Sequence, residues 1–204
     1  MDFPRGFLPL QKIHRIMTSR QNTLNPQFAL ILGLLFMAAI SRLLPHPYNF
    51  TPIGAMALFG AAYFQHRWMA FLIPALAIWF SSLLLDNIVY SAYYEDFVWF
   101  SNGGVYIAFA LITLMGMGLL KRVSAQRLLL GSFGASVLFF LVSNFFVFTS
   151  GLMYPMTASG LIACFAAGLP FFRNAMLGDL FYVAILFGTY AWFTRSYPTL
   201  FARA

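Results

Sequence analysis

The stretch LLLGSFGASVLFFLVSNFFVFTSGLMYPMTASGLIACFAAGLPFF, residues 128–172, contains no Asp, Glu, Lys or Arg. A bilayer core about 30 Å thick is crossed by roughly 20 mainly apolar helical residues, so this run exceeds what one crossing needs. Residues 68–85 and 103–120 are equally free of formal charge. Over the chain of 204 residues, 61% are hydrophobic and 8% charged. An ordinary soluble domain carries about 25% charge, so this sequence lacks the polar surface that water demands. The 25 Phe and 10 Tyr do not indicate a barrel, because these runs are apolar all round and do not alternate. Backbone groups in lipid must be paired within the segment, which favours helices. The expected fold is an all-α, polytopic membrane bundle.

The apolar runs predict six transmembrane helices, at about Gln27–Leu44, Pro52–Phe64, Trp68–Leu85, Gly103–Leu120, Leu128–Phe148 and Asn174–Thr194. Residues 154–172, punctuated by Pro155, Gly160, Gly168 and Pro170, read as an additional short outer-side helix or re-entrant segment. The domain layout is then a basic cytoplasmic N-terminal tail (1–26), one transmembrane helical domain (27–194) and a short cytoplasmic C-terminal tail (195–204). The second run is short, so it is tilted, extended or partly buried in protein. Arg42, near the end of the first run, is expected to snorkel.

Lys and Arg set the orientation. With the N-terminus inside, Arg5, Lys12, Arg15, Arg20, Arg67, Lys121, Arg122, Arg127, Arg195 and Arg203 are all cytoplasmic. Only Arg42 and Arg173 fall outside, together with Asp86, Glu95, Asp96 and Asp179 at or near that side. This predicts a multi-pass membrane protein with both termini cytoplasmic. The net charge of +7 follows from topology and does not call for nucleic acid. There is no GxxxxGK[ST] loop, HExxH or CxxC. No enzymatic activity, cofactor or metal is therefore expected, and nucleotide hydrolysis would have to come from a partner. Cys164 reads as a small packed side chain.

Pro45, Pro47 and Pro52 stiffen the first outer link, which presents His46, Tyr48 and Asn49 either to a solute or as caps of the second helix. Gly54, Ala57 and Ala61 recur at i, i+3 and i+7, a close-packing face for a neighbouring helix of this chain or for a membrane partner. Asn144 needs a partner inside the bundle. Asp179 is an ionisable group within a span, and such groups are costly unless paired. Arg173 and Asn174 open the last helix. The expectation is that His46, Tyr48, Asn49, Asn144, Arg173, Asn174 and Asp179 converge on an outer cavity, with Arg173 paired to Asp179 or to an anionic solute.

The segment from Arg42 to Phe64 (RLLPHPYNFTPIGAMALFGAAYF) resembles the signature of the DUF6580 family of mostly bacterial multi-span membrane proteins, which implies a place in the bacterial inner membrane. Ser143–Phe148, Tyr154-Pro155, Gly160-Leu161 with Cys164, and Leu169–Leu180 resemble it too, with Phe148 where the family often has Trp. More distantly, the layout is similar to the substrate-binding S components of energy-coupling factor transporters. That resemblance implies a small extracellular micronutrient as solute, and a membrane scaffold with cytoplasmic ATPase subunits as partners. The link Pro45–Thr51 would close the site. An autonomous secondary transporter or channel and a non-transporting scaffold are the alternatives.

Overall fold

The computed structural model describes residues 25–101 and 103–201. The basic residues of the expected N-terminal tail, and Arg203, lie outside them. Six helices carry the chain: α1 (Pro26–Ser41), α2 (Ile53–Tyr63), α3 (Arg67–Leu84), α4 (Gly103–Leu119), α5 (Ala125–Thr149) and α6 (Ala158–Ser196). A π turn, Leu85–Val89, extends α3, and α7 (Pro198–Phe201) is a final short turn. No strand occurs among the described residues.

Three of these helices are long and apolar enough to cross a membrane: α3 with its π extension, α5 and α6. The sequence predicted six. The remaining three are apolar but hold only 16, 11 and 17 residues. The link between α1 and α2, the first link, cuts both helices short: Asn49 takes a positive φ of 62°, and Pro52 occupies the N-cap position of α2.

Helix α2 is short because it is enclosed. Every residue from Ile53 to Gly60 is buried, and α2 packs against all five other long helices. An all-apolar helix with no polar face is stable only in such a place. Small residues set the approach distances. A Cβ on Gly116 of α4 would lie 2.9 Å from the Ala61 Cβ, and one on Gly60 would lie 3.0 Å from Pro74 of α3. The predicted face of Gly54, Ala57 and Ala61 is thus consumed inside the chain. Its reading as a partner-docking surface is corrected, because Ala57 has no exposed area and Gly54 is buried against Asp179.

A second correction concerns residues 154–172. No separate re-entrant element exists there: residues 158–172 are the first part of α6, which runs unbroken for 39 residues, about 58 Å. The glycines read as breakers are packing positions. Gly168 lies where any Cβ would fall 2.9 Å from the Phe140 ring of α5. The chain turns earlier, at Gly151 with φ 67°, and Thr157 then caps α6 by accepting from the Gly160 amide at 3.2 Å. The C-terminal boundary also moves, since α6 continues to Ser196 rather than stopping at 194.

Helix directions alternate, so the links α1–α2, α3–α4 and α5–α6 share one end. The chain's described ends share the other, where Gln27 Nε2 donates to the Phe201 carbonyl at 3.3 Å. Arg67, Lys121, Arg122 and Arg127 lie at this second end, and Glu95 and Asp96 lie in a link at the first. Less than a third of each long apolar window is buried within the chain. The outward faces carry residues such as Leu72, Leu76 and Phe80 of α3, spaced one helical turn apart and half exposed. Such large exposed apolar surface suits a lipid environment.

Candidate functional site

The first link is bolted to α6 rather than free to move. Phe50 packs on Phe181 and Tyr182, with ring centroids 5.6 and 5.9 Å away. Asn174 Nδ2 donates to the Tyr48 carbonyl at 3.0 Å, and Ser41 Oγ donates to Tyr182 Oη at 2.9 Å. Gly178 admits the Phe50–Thr51 backbone so closely that a Cβ there would lie 3.0 Å from the Thr51 nitrogen. Asn174, Gly178 and Tyr182 follow one another at four-residue steps, so one face of α6 receives the whole link.

Below the link, the start of α2 meets Asp179. No side chain of the link caps this helix. The Asp179 carboxylate does so from α6, taking hydrogen bonds from the Gly54 and Ala55 amides and, at 2.7 Å, from Ser136 Oγ of α5. A helix N-terminus presents unpaired N–H groups and a positive dipole end, and a carboxylate satisfies both. Asp179 therefore joins α6, α5 and α2 at a fully buried point. The expected Arg173 pairing is not made, because Arg173 is exposed at the α6 surface.

Above and beside this junction, the same end of the protein holds a cavity of about 550 Å³. Its walls come from the first link, the end of α3, the start of α4, the end of α5 and the first half of α6. Of the residues expected there, Tyr48, Asn49 and Asn144 line it. His46, Arg173, Asn174 and Asp179 do not. His46 Nδ1 lies 2.6 Å from the Leu44 carbonyl within its own link. Asn144 is held by its Nδ2 donating to the Phe140 carbonyl at 2.8 Å, while its backbone carbonyl accepts from Cys164 Sγ at 3.4 Å. Cys164 is buried and also borders the cavity.

The cavity's charged residues were not among those expected. Arg42 does not snorkel. It turns inward, is only 8% exposed and borders the cavity. Its Nη1 donates to the Ile78 carbonyl (2.9 Å), Ser81 Oγ and Ser82 Oγ, and its Nη2 to Ser82 Oγ (3.1 Å). Its buried Nε has no partner. Asp86 sits in the π turn, 9% exposed, and accepts from Ser101 Oγ at the cavity edge. π turns displace a side chain from the regular helical position and recur at functional sites. Neither residue forms an ion pair among the described residues.

Tyrosines surround these charges. Tyr90, Tyr94 and Tyr106 line the cavity near Asp86 and Arg42. Partial desolvation, reinforced by the Asp86 charge, raises the Tyr94 pKa from its ordinary value. The α3–α4 link is fixed over this wall by Asn87, whose Nδ2 donates to the Val98 carbonyl and whose Oδ1 accepts from the Val98 amide at 2.8 Å. Glu95 and Asp96, in the same link, are exposed and stay outside the cavity. No group of three or more His, Cys, Asp or Glu side chains fit to hold a metal occurs among the described residues.

No curated protein and no solved structure matches this chain. The sequence does match the Family of unknown function (DUF6580) over residues 22–200. That span includes all six long helices and every residue of the cavity, and the protein belongs to this family.

Proposed function

We propose that this protein is a membrane-embedded solute-binding and uptake protein, which receives a small extracellular solute in the cavity at the link end. The observation that carries the reading is the cavity itself: about 550 Å³, walled by rigidly anchored links, and containing buried polar groups in an otherwise apolar bundle. Ligand sites are concave, mostly apolar and supplied with a few placed polar groups. A packed scaffold has no use for such a space.

The topology that accompanies this function is six helices traversing the bilayer, with both termini cytoplasmic. The excess of cations at the opposite end favours placing the cavity outside. The short helices α1, α2 and α4 are accommodated because α2 lies within protein and the others pack beside longer neighbours. In this reading the energy for uptake comes from a partner, a membrane scaffold with cytoplasmic ATPase subunits. A channel or ion-driven carrier built on Asp179 is disfavoured, because that carboxylate is occupied at the start of α2 and does not border the cavity.

The test uses the full chain in lipid nanodiscs. Thermal unfolding is followed with a panel of sugars, nucleosides, vitamins, organic acids and amino acids. At least one class is expected to raise the midpoint, since a ligand that binds only the folded state stabilises it. Val147→Trp, which fills the cavity from its α5 wall, is expected to abolish the shift while the protein remains folded. A panel without any shift would overturn the reading. Labelling of single cysteines near Lys121 and near Glu95 checks the sidedness, and same-side labelling would exclude the topology.

A further inference from the structure

Resting on the binding reading above, we propose that the solute is a small zwitterion, its carboxylate taken by Arg42 and its ammonium by Asp86. The first argument is a count of donors. A guanidinium has five N–H groups and no acceptor. Arg42 finds three acceptors, the Ile78 carbonyl and the hydroxyls of Ser81 and Ser82, and all three are neutral. A permanent charge that is nine-tenths buried without a carboxylate in direct contact is expensive. Its position on a cavity wall lets a solute anion supply what the chain does not.

The second argument is the separate placement of the opposite charge. Asp86 is buried to the same degree, borders the same cavity, and among the described residues receives a hydrogen bond only from Ser101. The two residues sit close enough to influence one another electrostatically, yet they form no ion pair. If the protein needed only mutual neutralisation, the pair would close. Both border one cavity and neither is ion-paired among the described residues, which leaves a cation site and an anion site. A solute with one negative charge would face repulsion from Asp86, and one with a single positive charge would face Arg42. A zwitterion satisfies both.

The surroundings agree with this division. Tyr94 stands on the Asp86 side, and aromatic faces attract ammonium groups. Phe139 and Phe171 line the wall contributed by α5 and α6, where an apolar or aromatic body would rest. The volume suits a solute from amino-acid to dipeptide size.

The experiment compares matched probes on the full chain in nanodiscs: the standard L-amino acids, then for each binder the amine lacking the carboxylate and the acid lacking the ammonium. L-Phenylalanine, phenethylamine and 3-phenylpropionate form the first set. The expected result is binding of at least one amino acid, with both singly charged relatives weaker by about tenfold or more. Asp86→Asn should erase the preference for the amino acid over its acid, and Arg42→Met the preference over its amine. If Arg42→Met folds poorly, Asp86→Asn, which can keep the Ser101 bond, decides alone. Equal binding of a singly charged relative overturns the proposal. So does binding of sugars, nucleosides or other uncharged solutes with no amino acid bound, which leaves the binding reading standing. No shift from any probe overturns both.

Discussion

Asp179 and Arg42 are the two most deeply buried charged residues among those described, at 4% and 8% exposure, and the chain treats them in opposite ways. Asp179 is met from three sides by Ser136 and the first amides of α2, and it does not border the cavity. Arg42 is given three neutral acceptors for five donors and is set against a cavity. Burial alone does not distinguish a structural charge from a functional one. The degree of satisfaction does, because a chain that leaves a charge short of partners beside open space has stability to gain from an external partner.

The largest expected effect falls on the satisfied residue. Asp179→Ala removes the acceptor that caps α2 and leaves Ser136 only its bond to the Ser132 carbonyl, and should cost about 2–4 kcal/mol. The readout is folded yield and unfolding midpoint in nanodiscs, with a much smaller loss for Asp179→Asn, which retains an acceptor. Unchanged stability in Asp179→Ala would break the comparison at its structural half.

Arg42→Met tests the other half. The substitution loses hydrogen bonds to three neutral acceptors but also removes a buried charge that has no ion-pair contact, and the two effects oppose one another, so stability without solute should change by no more than about 1–2 kcal/mol. Solute-dependent stabilisation should disappear. The opposite result, lost folding with binding intact in the residual folded fraction, would make Arg42 a second Asp179.

Gly168→Ala probes the wall between the two regions. Its Cβ would overlap the Phe140 ring and the Asn144 amide, prying α6 from α5 where both border the cavity. Overpacking of this kind costs about 1–3 kcal/mol. Solute affinity should fall as well, because Asn144 must leave its bond to the Phe140 carbonyl. A change in affinity without any change in stability would mean that the wall yields freely there.

Much of this architecture was legible because apolar runs fix where helices lie. Five of the six long helices begin and end within a few residues of the runs that predicted them. The sixth was split wrongly, since Gly160, Gly168 and Pro170 carry the same letters whether they break a helix or let another approach. The site was less legible, and for a physical reason. Asp179 attracted attention as an intramembrane charge, but nothing local says that its partners are the amides of a distant helix. Arg42, at the end of an apolar run, matched the pattern of a snorkelling side chain. Only the packing of α1 against α3 turns it toward Ser81 and Ser82. A signal was present in Ser81-Ser82-x-x-x-Asp86, a polar cluster ending an apolar helix. Likewise, the four-residue steps of Asn174, Gly178 and Tyr182 could have shown the face that receives the first link.

The smallest effect is expected at Asn49, where backbone and solute roles can be separated. Its φ of 62° places it in the left-handed region, in a link where the Thr51 amide donates to the Asn49 carbonyl and the Phe50 amide to the Pro47 carbonyl, both at 3.0 Å. Asn tolerates that conformation better than most side chains, and Gly adopts it without steric penalty. Asn49→Ala should therefore cost about 1–2 kcal/mol through the backbone alone, whereas Asn49→Gly should stay within about 1 kcal/mol of the parent protein. Both lose the amide that borders the cavity. If that amide contacts the solute, the two variants will show the same loss of affinity despite unequal stability. If Asn49 serves only to turn the chain, affinity will follow stability, with Gly near the parent and Ala below it. Parallel measurement of unfolding midpoint and solute affinity in the two variants thus assigns this residue to the satisfied framework or to the unsatisfied site.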